Sequence, residues 1–178
     1  MARLILLHGA SSSGKSTLAA AFRRLAPAPW LHLSIDHLRD SGAWDPGAYA
    51  NWAAARPAFF AGFHAAVAGF LDAGNDVILE HIMDTPGWHA DLQNRFAGHR
   101  VLFVGLHADL STLVQREAAR GDRALGSAAR DHAGVHTGMC YDLELTGTDD
   151  PALNARHLLQ AVATMPDKSR FFAPPAIG

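Results

Sequence analysis

The residues best suited to chemistry stand together near the start of the chain. Gly9-Ala10-Ser11-Ser12-Ser13-Gly14-Lys15-Ser16 fits G-x-x-x-x-G-K-[ST], with Thr17 next in line. Each fixed position has a physical task. Gly9 and Gly14 allow backbone angles and close approach that a Cβ would block. The loop then turns its N–H groups inward as an anion nest, and the following helix adds its positive N-terminal end. Lys15 offers a compact ammonium to the β- and γ-phosphates, and the Ser16 hydroxyl suits Mg²⁺; the pattern expects ATP with Mg²⁺. The chain holds thirteen Arg but only two Lys, Lys15 and Lys168. A planar guanidinium would not replace the point charge at position 15, which explains this departure from the chain's habit.

Two carboxylates extend the site. Asp36 follows a short apolar run, and in open parallel sheets ligands lie beyond the carboxyl ends of the strands. It is placed to orient and deprotonate an acceptor hydroxyl, or to cap a helix over residues 37–40, a position where Asp is common. Glu80 closes Val77-Ile78-Leu79-Glu80-His81. It can serve the Mg²⁺ shell or the substrate, or form a structural ion pair, because a carboxylate beside a sheet needs a partner. His37, His81, Trp52 and Trp88 are candidates for the acceptor pocket. So are Trp44, Phe59, Phe60 and Phe63, although Phe63 and one of Phe59 and Phe60 suit the core better.

Arg116, Arg120 and Arg123 fall at i, i+4 and i+7, one helix face. Three guanidiniums there repel one another unless anions lie between them. Phosphate clamping fits, with Arg116 on the nucleotide and Arg120 and Arg123 at the transferred group. An ion-pair network with Glu117 and Asp122 is the alternative. His132 and His136 are four apart but lack the Glu and third ligand of a zinc site.

The elements that must position these residues alternate. Apolar runs at residues 4–7, 30–35, 76–82, 100–107 and 143–145 read as strands. Helical patterns cover residues 17–25, 47–73, 86–96, 110–120 and 151–165, with Pro57 marking a break or a second start in the longest. Strand–helix alternation implies an α/β fold, a P-loop NTPase-type three-layer α/β/α sandwich with a five-stranded parallel sheet. Residues 121–139 are rich in Gly, Arg, Asp and His and read as a mobile cover, giving a short helical lid over about 120–139. One domain spans 1–165, and the Pro-rich stretch 166–178 is expected to be a loose tail.

Composition narrows the classes. The 178 residues are 49% hydrophobic and 18% charged, enough for one buried core. A net charge of −2 and a pI near 6.6 argue against a nucleic-acid surface. A single cysteine, Cys140, cannot form an internal disulfide. No signal-peptide pattern opens the chain, and no unbroken apolar run approaches a membrane span, so a cytoplasmic location is expected.

Four features together resemble the chloramphenicol phosphotransferase-like family. They are the G-x-S-S-x-G-K-S loop, the strand ending at Asp36, Arg120-Gly121-Asp122-Arg123, and His136-x-Gly-x-x-Tyr141-Asp142. They cover residues 4–142 in the same order and at similar spacing. The resemblance implies an ATP-dependent O-phosphotransferase, a transferase type often linked to antibiotic resistance, with Asp36 as catalytic base and Arg120 and Arg123 as lid arginines. The chain departs from the antibiotic-modifying enzyme over residues 37–75, and Glu80-His81 stands where that enzyme is doubly acidic. The expected reaction is transfer of a phosphoryl group to a small-molecule hydroxyl. A nucleoside, sugar or other metabolite is an alternative acceptor, and a nucleotide-binding switch an alternative function.

Overall fold

The computed structural model describes residues 1–120 and 126–173, with Arg120 described by its backbone alone. Its centre is the continuous apolar run β1 (Arg3–His8), which can be apolar on both faces because both faces are covered. Around it lie β2 (Leu31–Ser34), β3 (Val77–Glu80), β4 (Arg100–His107) and β5 (Leu143–Thr146), in the spatial order β2-β3-β1-β4-β5 with every pairing parallel. Register brings Leu7 opposite Glu80, and Ser34 opposite Glu80 on the other side. The loop after β1 and the ends of β2 and β3 therefore meet at one edge.

Period-two alternation divides the core. Ile5 and Leu7, with Ile78 and Val104, face α1 (Lys15–Leu25) and α7 (Pro151–Ala163) through Phe22, Leu158 and Val162. Leu4 and Leu6, with Leu79 and Phe103, face α3 (Trp52–Asp72) and α4 (Trp88–Phe96) through Phe63, Val67 and Phe96. Helices on both faces make the three layers expected. The remaining helices are α2 (Ile35–Asp40), α5 (Leu110–Arg120) and α6 (Ser127–His132).

Two elements differ from the sequence expectation. The expected long helix starts later, at Trp52 after a 3-10 turn over Pro46–Ala48, and runs unbroken through Pro57. A proline there removes one helical hydrogen bond at a cost of about 3 kcal/mol. Asn51 caps the helix by accepting from Ala54 N–H, and burial of Phe60, Phe63, Val67 and Leu71 further along outweighs the defect. By length and composition α3 could also cross a membrane, but one face of it, with Phe60, Phe63, Val67 and Leu71, is in the core.

The expected loose tail is docked as far as residue 173. Asp142 accepts from Ser169 Oγ at 2.5 Å and from Arg170 N–H at 2.8 Å. Phe171 is fully buried against Phe96 and Phe103. Proline content spoke for disorder, but one aromatic anchor decides the fate of this segment. Within the expected cover, α6 packs Ala128 against Ala10 and Leu113. Glu117 accepts from Gly126 N–H at 2.8 Å, Ala128 N–H at 2.9 Å and the Ser127 hydroxyl. These bonds, the Ser127 one first, hold its carboxyl down to about 2.

Candidate active site

The Gly9–Ser16 loop leaves β1 and ends in α1, whose first residue is Lys15. Gly14 precedes it with φ 103°, a left-handed conformation that a side chain would strain. Ser11, Ser12, Gly14, Lys15, Ser16 and Thr17 line a cavity of about 640 Å³, while Gly9, Ala10 and Ser13 are buried. Lys15 Nζ donates to the carbonyls of Gly9 and Ala10, both at 2.8 Å. Arg116 donates to Ser12 O and Ser13 O, both at 3.3 Å, and to Gly147 O at 2.9 Å. It thereby ties the loop to the segment after β5. Of the other arginines, Arg123 lies outside the described residues and Arg120 shows only its helical backbone.

Glu80 ends β3 directly across from Ser16. Ser16 Oγ donates to Glu80 Oε2 at 2.9 Å, and His32 Nε2 donates to Oε1 at 2.6 Å. Burial alone would raise the Glu80 carboxyl; the His32 bond, the Lys15 charge and the Ser16 bond overcome it and keep Glu80 below the ordinary carboxylate range. A hydroxyl and an ionised carboxylate converging at the loop form an oxygen donor set that suits Mg²⁺. His32 is the partner that a carboxylate in this place requires.

Asp36 lies in the first turn of α2, one step beyond the expected strand end. Ser34 caps that helix by accepting from Asp36 N–H at 3.3 Å, which removes the capping role from Asp36 itself. The Asp36 carboxylate lines the cavity, with Arg39 Nη1 3.2 Å from its Oδ1.

The opposite wall comes from three further elements. Phe60 of α3 and Trp88 of α4 line it with ring centroids 4.3 Å apart. Arg56 lies over both rings, its Cζ 5.1 Å from Phe60 and 4.5 Å from Trp88. Its guanidinium donates to Thr85 Oγ1 at 2.6 Å and to both oxygens of Asp84, at 2.8 and 3.1 Å. His81 borders the same wall. Its Nε2 is 2.9 Å from His64 Nε2, and His64 Nδ1 is 3.0 Å from Asp91 Oδ2. Burial first, and then the neighbouring His64, lower His81 to about 3, and burial also lowers His64.

Four candidate pocket residues, His37, Trp44, Trp52 and Phe59, lie elsewhere. Trp52 is not on the cavity wall; it stacks in a cluster with Trp44, Tyr49 and Phe59, because the start of α3 turns that side chain away. His37 meets His32 edge to face at 4.5 Å instead of lining the cavity. Phe63 is core, as expected, and Phe60 rather than Phe59 joins both core and wall.

Sequence reasoning missed Arg56, Asp84, His64, Asp131 and Gly147. Asp131 of α6 accepts from Ser11 N–H at 3.1 Å, and burial raises its carboxyl. A Cβ at Gly147 would come 2.0 Å from Ser13 O, so only glycine lets this segment approach the loop. A glycine just after a predicted strand was the one available signal for it. His8 and His136 both reach the Tyr141 hydroxyl, at 2.9 and 2.6 Å. Burial and then His107 lower His136 to about 4.

The family described as chloramphenicol phosphotransferase-like protein matches residues 2–163. A Mycobacterium tuberculosis protein named as a proposed O-phosphotransferase is 31% identical over 92% of this chain and 84% of its own length. Among solved structures, the Mycobacterium tuberculosis APS kinase superposes with a TM-score of 0.63 at 20% identity, over 91% of this chain and 98% of that one. A gluconokinase from Sinorhizobium meliloti gives 0.58 at 18% identity, over 92% and 91%. These superpositions establish the shared fold.

Proposed function

Since the chain belongs to the chloramphenicol phosphotransferase-like family, we propose that it transfers the γ-phosphoryl group of ATP, with Mg²⁺, to a hydroxyl of a small molecule. The observation that carries this reading is the composition of one cavity. It has the Ser16–Glu80 pair and Lys15 on one side and the Asp36 carboxylate on its wall. A switch that only binds and hydrolyses nucleotide would have no use for the second carboxylate or for an aromatic wall beside it.

In the proposed reaction the loop N–H groups and α1 hold the phosphates, and Lys15 leaves its carbonyl partners to meet developing charge. Ser16 and Glu80 would hold Mg²⁺, which neutralises phosphate charge when bound. Asp36 takes the proton of the acceptor hydroxyl. That oxygen forms a bond to the γ-phosphorus as the bond to the β,γ-bridging oxygen breaks, and ADP leaves with the electron pair. Arg120 and Arg123 complete the charge stabilisation, and segment 126–139 excludes water from the γ-phosphate. An ATP-consuming reaction of this kind suits a cytoplasmic location.

ADP release with glucose, gluconate, shikimate or chloramphenicol as acceptor tests the proposal. Release that depends on an acceptor is expected. Release equal with and without every acceptor would sink the transferase and leave a nucleotide hydrolase.

A further inference from the structure

Resting on the phosphotransferase reading above, we propose that the acceptor carries a carboxylate beside its hydroxyl, and that Arg56 receives it. Asp84 holds the guanidinium as a resident stand-in and gives it up when the acceptor binds. The acceptor class is then a hydroxy acid, with its hydroxyl at Asp36 and its carboxylate at Arg56.

Arg56 is set for planar recognition before any ligand arrives. Its Cζ lies 5.1 Å from the Phe60 centroid and 4.5 Å from that of Trp88. Rings under a weakly hydrated planar cation fix its plane and leave its edges to bond. One edge is taken: Nη1 donates to Thr85 Oγ1 at 2.6 Å, and Nη2 to both Asp84 oxygens at 2.8 and 3.1 Å. Nε–H has no partner among the described residues and is not sealed from solvent. A carboxylate that bonds two guanidinium nitrogens side by side is the bidentate arrangement arginine favours. Asp84 does not make it with Nε and Nη2, because both of its oxygens meet Nη2 alone.

Asp84 is also a weak holder. Its side chain is 49% exposed. Apart from Arg56, its hydrogen-bond partner among the described residues is the Thr85 hydroxyl, which donates to Oδ1 at 3.0 Å. Water screens such a pair, so it contributes little to stability. A carboxylate arriving with the acceptor excludes that water and fills Nε and Nη2 together, so it displaces Asp84. Charge in the cavity points the same way. Lys15, Arg56 and Arg116 are the described cations that line it, and Lys15 and Arg116 donate to carbonyls around the phosphate loop. Asp36 pairs with Arg39, and Glu80 bonds to Ser16 and His32. Arg56 is the cation left for the acceptor. A neutral polyol would need no guanidinium there, since Asp84 and Thr85 alone could serve its hydroxyls.

Calorimetric titration of the ADP·Mg²⁺-loaded protein tests this without turnover. Each acid is paired with a neutral match: glycerate with glycerol, gluconate with glucose, mandelate with methyl mandelate. At least one acid should bind roughly ten- to a hundredfold tighter than its match, the scale of a hydrogen bond to a charged group. Arg56→Gln should remove that preference and leave ADP affinity unchanged. Asp84→Asn keeps an acceptor oxygen beside Arg56 but removes the competing charge, so the acid should bind several-fold tighter. A wild-type protein that prefers none of the three acids overturns the inference, and so does a preference that survives Arg56→Gln. Acid affinity unchanged or weakened in Asp84→Asn also overturns it, by making the Arg56–Asp84 pair a structural tie. The wild-type titrations decide the matter even where a variant fails to fold. Failure of the phosphotransferase reading would show separately, as absent ADP·Mg²⁺ binding or acceptor-independent ADP release.

Discussion

The two sides of the cavity are built on different plans. The side proposed for the nucleotide is backbone: one continuous loop, Gly9–Ser16, with Lys15 and Arg116 donating to main-chain carbonyls around it. The side proposed for the acceptor is side chains gathered from α2, α3, the end of β3 and α4, namely Asp36, Arg56, Phe60, His81 and Trp88. A backbone nest depends on glycines and a local turn, so it tolerates little change and reads the same in any kinase that has it. A wall of side chains from separate elements can be rewritten one residue at a time while the fold stays, which is how one scaffold serves different acceptors.

The largest effect should come from removing the ammonium at the heart of the nucleotide side. Lys15→Ala should reduce phosphoryl transfer to background while the melting temperature changes little. Turnover near wild type in the folded variant would erase the contrast between the sides.

Asp36→Asn separates the sides most cleanly. Because Ser34, not Asp36, caps α2, stability should hold. Nucleotide affinity should hold too, and transfer should fall by about 10²–10⁴-fold, the scale of a lost general base. Undiminished transfer would move the base elsewhere on the wall, to Glu80 first.

Trp88→Ala removes one ring from the stack over Arg56. The acceptor KM should rise roughly tenfold, equivalent to about 1.4 kcal/mol, with the ATP KM unchanged. Equal shifts in both constants would mean that the ring serves the whole cavity and that the two sides are not independent.

The smallest effect is a pH dependence outside both walls, at the His8–Tyr141–His136 contact. His136 is lowered to about 4 in the folded protein, below its ordinary 6.5. Between those values the unfolded chain binds a proton that the folded one does not, so stability falls as pH drops from 6.5 to 4. His136→Gln should flatten that part of the melting-temperature profile by a few degrees at most. A profile unchanged by the substitution would assign the acid sensitivity to another histidine.

What the sequence determined by itself was whatever rests on local chemistry. Gly9, Gly14, Lys15 and Ser16 act through a contiguous turn, so their spacing alone declares the nest. The period-two and helical patterns likewise gave five parallel strands between helices, with β4 and α5 at their observed bounds. Asp36 and Glu80 were legible because strand ends converge at one edge of a parallel sheet. Tertiary structure decided the rest. Trp52 and Trp88 look alike in sequence, yet only one reaches the wall, because helix phase and crossing set where a ring points. Nothing local links Arg56 to Asp84, His64 to His81, or Asp131 to Ser11; chain crossings bring them within 3.1 Å. Phe171 turned an expected tail into a docked segment for the same reason. Long-range burial outweighs local composition wherever one large side chain finds a place in the core.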